Sequence, residues 1–156
     1  MADPAQETVV YPFTSFNFSI EISLEGSAAH LVNAAFAECD GLEMTMEVKT
    51  IREGGNNGQQ VRLTGPLSFG TLTLKRGMTA NFDLWSWFTR MLRNPALRAS
   101  ADVVLYAPNG RDVRAKFKLA RCLPVKLKAP ALNAKDGTLA IEELQIAYES
   151  LTLEPR

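Results

Sequence analysis

Residues 41–77, GLEMTMEVKTIREGGNNGQQVRLTGPLSFGTLTLKRG, decide the fold. Apolar and polar side chains alternate in GLEMTMEVKTI, which is the pattern of a strand. VRLTG and GTLTLKRG predict two further short strands, punctuated by Gly65–Pro66 and Gly70. Between the first and second strands lies the polar arm REGGNNGQQ, residues 52–60, which has no apolar side chain. Because a hairpin turns in about two to five residues, this arm is longer than a turn requires.

The same alternation continues on both sides of this stretch. FNFSIEISL, residues 16–24, predicts a half-buried strand, and HLVNAAFAEC, residues 30–39, predicts a weaker one. ADVVLYA and RDVRAKFKLARC, joined by PNG, predict a hairpin, because Asn109–Gly110 readily adopts the positive backbone angles of a tight turn.

The last part of the sequence predicts a loop followed by a long strand. LPVKLKAPALNAKDG, residues 123–137, has two prolines and is interpreted as the loop. TLAIEELQIAYESLTL, residues 138–153, is interpreted as the strand. Its alternation slips near Glu142–Glu143, which suggests a bulge there.

One amphipathic helix is predicted in NFDLWSWFTRMLRNP, residues 81–95. Asn81 or Thr79 can cap its start, and Asn94–Pro95 ends it. Apolar residues recur at spacings of three and four, and we expect them to form the buried face: Leu84, Trp85, Phe88, Met91 and Leu92. Trp87 lies off this stripe, so we expect it to be half-exposed or at an interface.

These elements predict a mostly β fold with one α-helix, built from two packed antiparallel sheets as a sandwich or barrel. With 156 residues, 46% of them hydrophobic, the chain can form a single domain with a real core. We expect that domain to span residues 1–156, with its core at about 11–153 and a flexible N-terminal segment at 1–10. We expect no secretion signal, because the N-terminus has no basic region followed by an apolar block, and no membrane insertion, because no apolar run is long enough to cross a bilayer.

Charge is separated along the chain although the net charge is zero. Residues 1–60 carry nine acidic and two basic residues, a net charge of −7. Residues 61–128 carry thirteen basic and three acidic residues, a net charge of +10, and residues 129–156 carry −3. Such a chain can attract copies of itself head to tail, or the segments can neutralise one another within one subunit.

The sequence contains no recognisable catalytic, cofactor-binding or metal-binding motif, so we expect no catalytic residues, cofactor or metal. His30 is the only histidine and has no recognisable catalytic partners, while Cys39 and Cys122 lack zinc-site spacing and are interpreted as free thiols. GGNNG lacks the lysine of a phosphate loop. The strand RDVRAKFKLAR has a basic face that could grip phosphates, but its one aromatic residue falls on the apolar face.

Five pieces of the sequence together resemble the tail tube family of contractile phages and contractile injection systems. They are Gly41–Glu43, Arg52–Asn57, Leu63–Pro66, Phe69–Gly77 and Leu84–Phe88. The opening YPFTSFNFSIEI and the closing LPVKLKAPALNAKDGTLAIEELQIAYESLTL are also similar to this family, so the resemblance covers about residues 11–153. Thr64 departs from it, since proline is common there.

The resemblance implies a structural protein with a tail-tube-type fold. Six copies would form a ring around an open lumen, and the rings would stack into a tube inside a contractile sheath, assembled in the bacterial cytoplasm. It implies as partners further copies of the chain, a sheath protein, baseplate or spike proteins and tube-terminating proteins, with cargo possible in the lumen. Two alternatives stay open: a baseplate-proximal ring of the same fold, and a monomeric β-barrel that binds a small molecule or nucleic acid.

The resemblance also suggests what holds the polar arm. Ordering its nine residues costs about 1–2 kcal/mol each, which an arm without apolar side chains cannot recover within its own subunit. We therefore predict that the arm contacts an adjacent ring or subunit, and a mobile loop with no role is the alternative. The interface residues would be Arg52, Glu53, Gly54, Gly55, Asn56, Asn57, Gly58, Gln59 and Gln60.

Overall fold

The computed structural model describes residues 12–27, 29–55 and 57–155. The expected flexible segment 1–10 lies outside these residues. In chain order the elements are β1 Phe18–Leu24, β2 His30–Ala34, β3 Glu38–Asp40, β4 Met44–Ile51, β5 Val61–Phe69, β6 Thr71–Gly77, α1 Asp83–Arg93, β7 Ala99–Tyr106, β8 Val113–Lys128, β9 Ile141–Ala147 and β10 Ser150–Pro155.

All strand pairs are antiparallel, and the long strand β8 joins two halves. In the first half the order is β2-β1-β7-β8, and β10 pairs with the other side of β8 along Ala115–Ala120. In the second half the remainder of β8, Leu123–Lys128, pairs with β9, which continues to β6 and β3. The predicted class is confirmed: two antiparallel sheets and one helix, without a closed barrel among the described residues.

The core forms where the inward faces of both halves meet the helix. β1 contributes Ile20 and Ile22, as its alternation predicts, and β9 contributes Leu144 and Ile146. The remaining fully buried large apolar residues include Val32, Leu72, Leu74, Leu84, Trp87 and Leu119. Burying each such side chain is worth about 1.5–3 kcal/mol, so this shared core holds the two halves together.

The predicted buried face of α1 is partly wrong. Leu84 is buried as expected, but Trp87 is completely buried, whereas Leu92 is 64% exposed. Trp85, Phe88 and Met91 are only partly buried. The buried stripe is therefore Leu84–Trp87–Phe88–Met91, because a helix of 3.6 residues per turn places Leu92 well away from Trp87.

The predicted bulge at Glu142–Glu143 is also wrong. The β6–β9 register runs without a shift from Ile141 to Ala147. Glu142 continues the inward face of Leu144 and Ile146 and is 1% exposed, so the apparent slip was a buried carboxylate. The register shift on this side of the fold lies in β8, between Pro124 and Lys126.

The predicted loop 123–137 begins too early, because its first six residues continue β8. Pro124 has no N–H to donate, yet it is tolerated here since the pairing of β7 with β8 ends at Cys122. The predicted long strand 138–153 is divided into β9 and β10, which follow one another along β8.

Candidate assembly surface

The hairpin of β4 and β5 stands apart from the core. The two strands pair only with each other among the described residues, as a separate two-stranded sheet. Every residue of β4 is exposed, and all of β5 is exposed except Gly65 and Phe69, which are partly buried. Seven large apolar side chains of the hairpin are between 40% and 59% exposed: Met44, Met46, Val48, Ile51, Val61, Leu63 and Leu67.

A bulge in β5 divides the hairpin into two parts. Met46 faces Leu67 and Val48 faces Thr64, so Gly65 and Pro66 together lie opposite the single residue Glu47. Gly65 is required here, because a Cβ atom would lie 2.5 Å from the Glu47 carbonyl oxygen. Pro66 fits a bulge because it has no N–H to donate to the ladder.

Except for Val48, which lies just beyond the bulge, the register places the exposed apolar residues of the two parts on opposite faces. Directly paired residues share a face, and faces alternate along a strand. Near the base of the hairpin, one face carries the root patch, which is Met44, Met46, Val48 and Leu67. Beyond the bulge, the other face carries the tip patch, which is Ile51, Val61 and Leu63.

The base of the hairpin is held by Tyr148. Its hydroxyl donates to the Gly41 carbonyl oxygen at 2.7 Å and accepts from the Glu43 N–H at 3.2 Å. The Tyr148 ring also contacts Phe69, with ring centroids 5.7 Å apart. Gly41 has φ +100°, and a Cβ atom there would overlap the Thr71 carbonyl oxygen, so the backbone leaves the core at a fixed point. These contacts set the direction in which the hairpin projects.

The predicted interface residues form the tip of this hairpin. All of them except Asn56, which lies outside the described residues, are exposed and surround a shallow polar concavity. The polar arm is thus the connection between two exposed apolar strands. Sequence reasoning missed that the strands themselves are uncovered. The methionines at positions 44 and 46 in an alternating strand were the available signal, since methionine is frequent at adaptable contact surfaces.

Part of the separated charge is paired within the chain. Lys75 pairs with Glu38, and Arg121 pairs with both Glu25 and Glu149, so basic residues of the middle segment meet acidic residues of the flanking segments. Two basic residues on the polar face of β8 are also paired, Lys116 with Asp102 at 3.2 Å and Lys118 with Glu154 at 2.8 Å. This face is therefore a poor candidate for gripping phosphates.

A buried ion pair fixes α1 on the second half of the fold. Arg76 Nε donates to Glu142 Oε1 at 2.5 Å, and Arg76 Nη2 donates to the Asn81 carbonyl oxygen at 3.0 Å. The Trp85 indole N–H donates to Glu142 Oε2 at 3.2 Å. Each charged group keeps several partners, which a buried pair needs to offset desolvation.

Both cysteines are free thiols, as expected. Burial raises the pKa of Cys39 to about 11 and that of Cys122 to about 12. His30 is exposed on β2. Among the residues described, no group of histidine, cysteine and carboxylate side chains is arranged to hold a metal. The one helix of the described chain is too short to cross a membrane.

Solved structures with similar folds come from contractile injection systems. A chain of the six-fold symmetrised anti-feeding prophage baseplate matches with TM-score 0.83 and 25% identity, covering 94% of this chain and 98% of that one. A chain of the anti-feeding prophage cap matches with TM-score 0.83 and 18% identity over 100% of both chains. A chain of the PVC sheath–tube complex in the extended state matches with TM-score 0.80 and 17% identity, also over 100% of both chains.

These matches define the class of protein by its fold, which is the fold of components of contractile injection systems. The family model of the T4-like virus tail tube protein gp19 matches residues 14–152, and the chain therefore belongs to that family. The resemblance drawn from the five sequence pieces is thereby confirmed. A search of curated protein sequences gave no significant match.

Proposed function

We propose that this chain is the inner tube subunit of a contractile tail or contractile injection system. Six copies close into a ring around a lumen, and rings stack into a tube that sheath contraction drives forward. The observation that carries the proposal is the exposed β4–β5 hairpin, whose apolar side chains its own chain leaves uncovered. Family membership supports a self-assembling structural role without catalytic activity.

Covering the exposed apolar side chains of the hairpin would contribute a substantial free energy of binding. Covering a large apolar side chain completely is worth about 1.5–3 kcal/mol, and these seven are about half exposed, so covering them gives about 5–10 kcal/mol. Association costs about 4–15 kcal/mol in lost freedom of motion. A single contact is therefore marginal, and the closed ring, in which every subunit repeats the contact, becomes the stable form.

The tip residues extend this contact to an adjacent ring. The arm offers charged and amide groups, including Arg52, Glu53, Asn57 and Gln59, that can pair across an interface. A Cβ atom added at Gly54, Gly55 or Gly58 would have no neighbouring atom within 4 Å, so the backbone here is uncrowded and free to adapt. Hydrogen bonds made between rings offset the cost of ordering the arm.

The open strand edges supply the wall between neighbours in one ring. The outer edges of β2, β3 and β10 have no pairing partner among the described residues. Unpaired edges invite pairing with another chain, and ring closure removes them from solvent. We infer that the sheets of adjacent subunits pair or abut at these edges.

The expected partners follow from this role. They are further copies of the chain, a sheath protein, baseplate or spike proteins and tube-terminating proteins, with room for cargo in the lumen and assembly in the bacterial cytoplasm. Folds similar to this chain occur in a sheath–tube complex, a tube-terminating cap and a baseplate, which supports this set.

The experiment is size-exclusion chromatography of the purified chain, followed by negative-stain electron microscopy of each peak. Rings or hollow rods support the proposal. A clean monomer across the accessible concentration range would contradict it. A variant in which Met46 and Leu67 are both replaced by serine, matched to one in which the exposed Leu132 is replaced by serine, tests whether the hairpin carries assembly. Only the first variant is expected to lose it.

A second candidate is a ring of the same fold that joins the tube to the baseplate. The 25% identical match, which comes from a baseplate structure, favours it. Gold labelling of a tagged chain in native particles separates the two, because a tube subunit labels the whole length of the tube whereas a baseplate-proximal ring labels only one end.

A further inference from the structure

The bulge at Gly65–Pro66 determines which face of the hairpin carries each apolar residue of β5. Along β5 the apolar residues Val61, Leu63 and Leu67 all have odd numbers. In an unbroken ladder they would share one face, because side chains in a strand alternate with a period of two. The bulge places two residues opposite one, so Val61 and Leu63 move to the face opposite Leu67.

Two features keep the bulge at this position. A Cβ atom at residue 65 would meet both the carbonyl oxygen and the Cβ of Glu47, at 2.5 Å and 3.2 Å, so the close approach of the two strands requires glycine. The following residue, Pro66, cannot donate a ladder hydrogen bond. Bulges are specific features that redirect side chains, and here the local sequence matches the geometry.

The two faces are also distinguished by what lies beside each patch. The face opposite the root patch carries Thr45, Glu47 and Ser68. The face opposite the tip patch carries Thr50, Arg62 and Thr64, together with Val48 next to the bulge, and Lys49 lies beside Leu63 on the tip-patch face. The exposed apolar residues therefore lie mainly on one face near the base and mainly on the other face near the tip, and the change falls next to the bulge. A single flat surface that covered one face would bury one apolar patch and, farther along, polar residues.

We propose that each hairpin is clasped between two copies of this chain, one seated on the root patch and another on the tip patch. This inference rests on the proposed function, which supplies copies of the chain as the occupants. It adds that the two patches belong to different neighbours and that the Gly65–Pro66 bulge makes this division. The half-exposed apolar residues on both faces are what these neighbours cover.

The test is photo-crosslinking with benzoylphenylalanine at Met46, at Leu63 or at both. The substituted chain is mixed as a minor component with unsubstituted chains, so that each crosslinker meets only unsubstituted neighbours. After assembly and irradiation, denaturing gels report how many chains are joined. Each single substitution is expected to give a two-chain product, and the double substitution is expected to give a three-chain product.

Matched controls place the crosslinker on the polar face of each part, at Thr45 and at Thr50, where the yield should fall severalfold. A double variant that gives only two-chain products, although both single variants crosslink, overturns the inference because both patches then meet the same neighbour. Loss of crosslinking at Leu63 overturns it as well. Rings seen by microscopy in the same samples would leave the proposed tube role standing, whereas their absence would refute that role together with the inference.

Discussion

Replacing Tyr148 by phenylalanine removes one hydroxyl from the base of the hairpin and keeps the ring contact with Phe69. The hydroxyl donates to the Gly41 carbonyl oxygen at 2.7 Å and accepts from the Glu43 N–H at 3.2 Å, and Tyr148 is 6% exposed. A hydrogen bond contributes about 0.5–1.5 kcal/mol net, so losing two should lower the free energy of unfolding by about 1–3 kcal/mol.

Urea denaturation followed by tryptophan fluorescence measures this change. The matched control is Tyr106→Phe, which removes a half-buried hydroxyl whose side-chain contact is with the Ser19 hydroxyl at 3.1 Å. Hydrogen exchange of the Glu43 amide gives a local readout, because this N–H loses its acceptor in Tyr148→Phe and keeps it in the control. The reasoning is refuted if both variants lose the same stability and exchange at Glu43 is unchanged.

Four further predictions concern the core, the ion pair, the arm and the thiols. Trp87→Ala should lower the free energy of unfolding by about 3–5 kcal/mol, whereas Leu92→Ala should change it by less than about 0.5 kcal/mol; equal effects in urea denaturation would show that the helix faces are misassigned. Glu142→Ala leaves a buried guanidinium unpaired and should cost about 3–5 kcal/mol by the same assay, and a loss below about 1 kcal/mol would contradict the buried-pair account. Replacing residues 53–59 by a short Gly–Ser turn should leave the monomer folded by circular dichroism and abolish stacking in electron micrographs, while long tubes from this variant would exclude the arm as the stacking element. The two thiols should be alkylated far more slowly at pH 8 in the native chain than in urea, because burial raises their pKa values from 9.0 to about 11 and about 12 and so lowers the thiolate fraction about a hundredfold or more. The alkylation rate of the native chain should rise as the pH approaches those values. Equal rates in the native chain and in urea would contradict the burial of the thiols.

Local patterns were sufficient to predict most of the strands. The alternation in residues 16–24 predicts the burial of Ile20 and Ile22, and Asn109–Gly110 marks the turn between β7 and β8, where Gly110 has φ +69°. These features depend on neighbouring residues only. The five sequence pieces that identify the family lie within the match to residues 14–152 and are equally local.

What the sequence did not reveal depends on contacts between distant residues. Glu142 looked like a break in alternation because its partner, Arg76, is on another strand, and only the fold shows that the two are buried together. Trp85 was assigned to the buried face because it lies three residues before Phe88, yet it is only partly buried and its indole N–H donates to Glu142. The assignment of Trp87 could have been improved, since positions 84, 87, 88 and 91 follow the helical spacing more closely.

The candidate surface was only half predicted for a similar reason. The arm at residues 52–60 was recognised by its composition, and the structure places it at the tip of the hairpin. Alternation in β4 predicted one covered face, but a single chain cannot show whether the cover comes from itself or from a neighbour. That the bulge at Gly65–Pro66 divides the apolar residues between two faces follows from the strand register, which neither strand specifies alone.

The most direct test of the central claim is a cryo-electron microscopy reconstruction of the assembled chain at a resolution that shows side chains. The account predicts rings in which neighbouring copies cover the hairpin. In the single chain Met46 is 49% exposed and Leu63 is 44% exposed, and both side chains should become buried in the ring. Rings in which both side chains keep these exposures would contradict it, as would a chain that forms no assembly under any of the conditions tried.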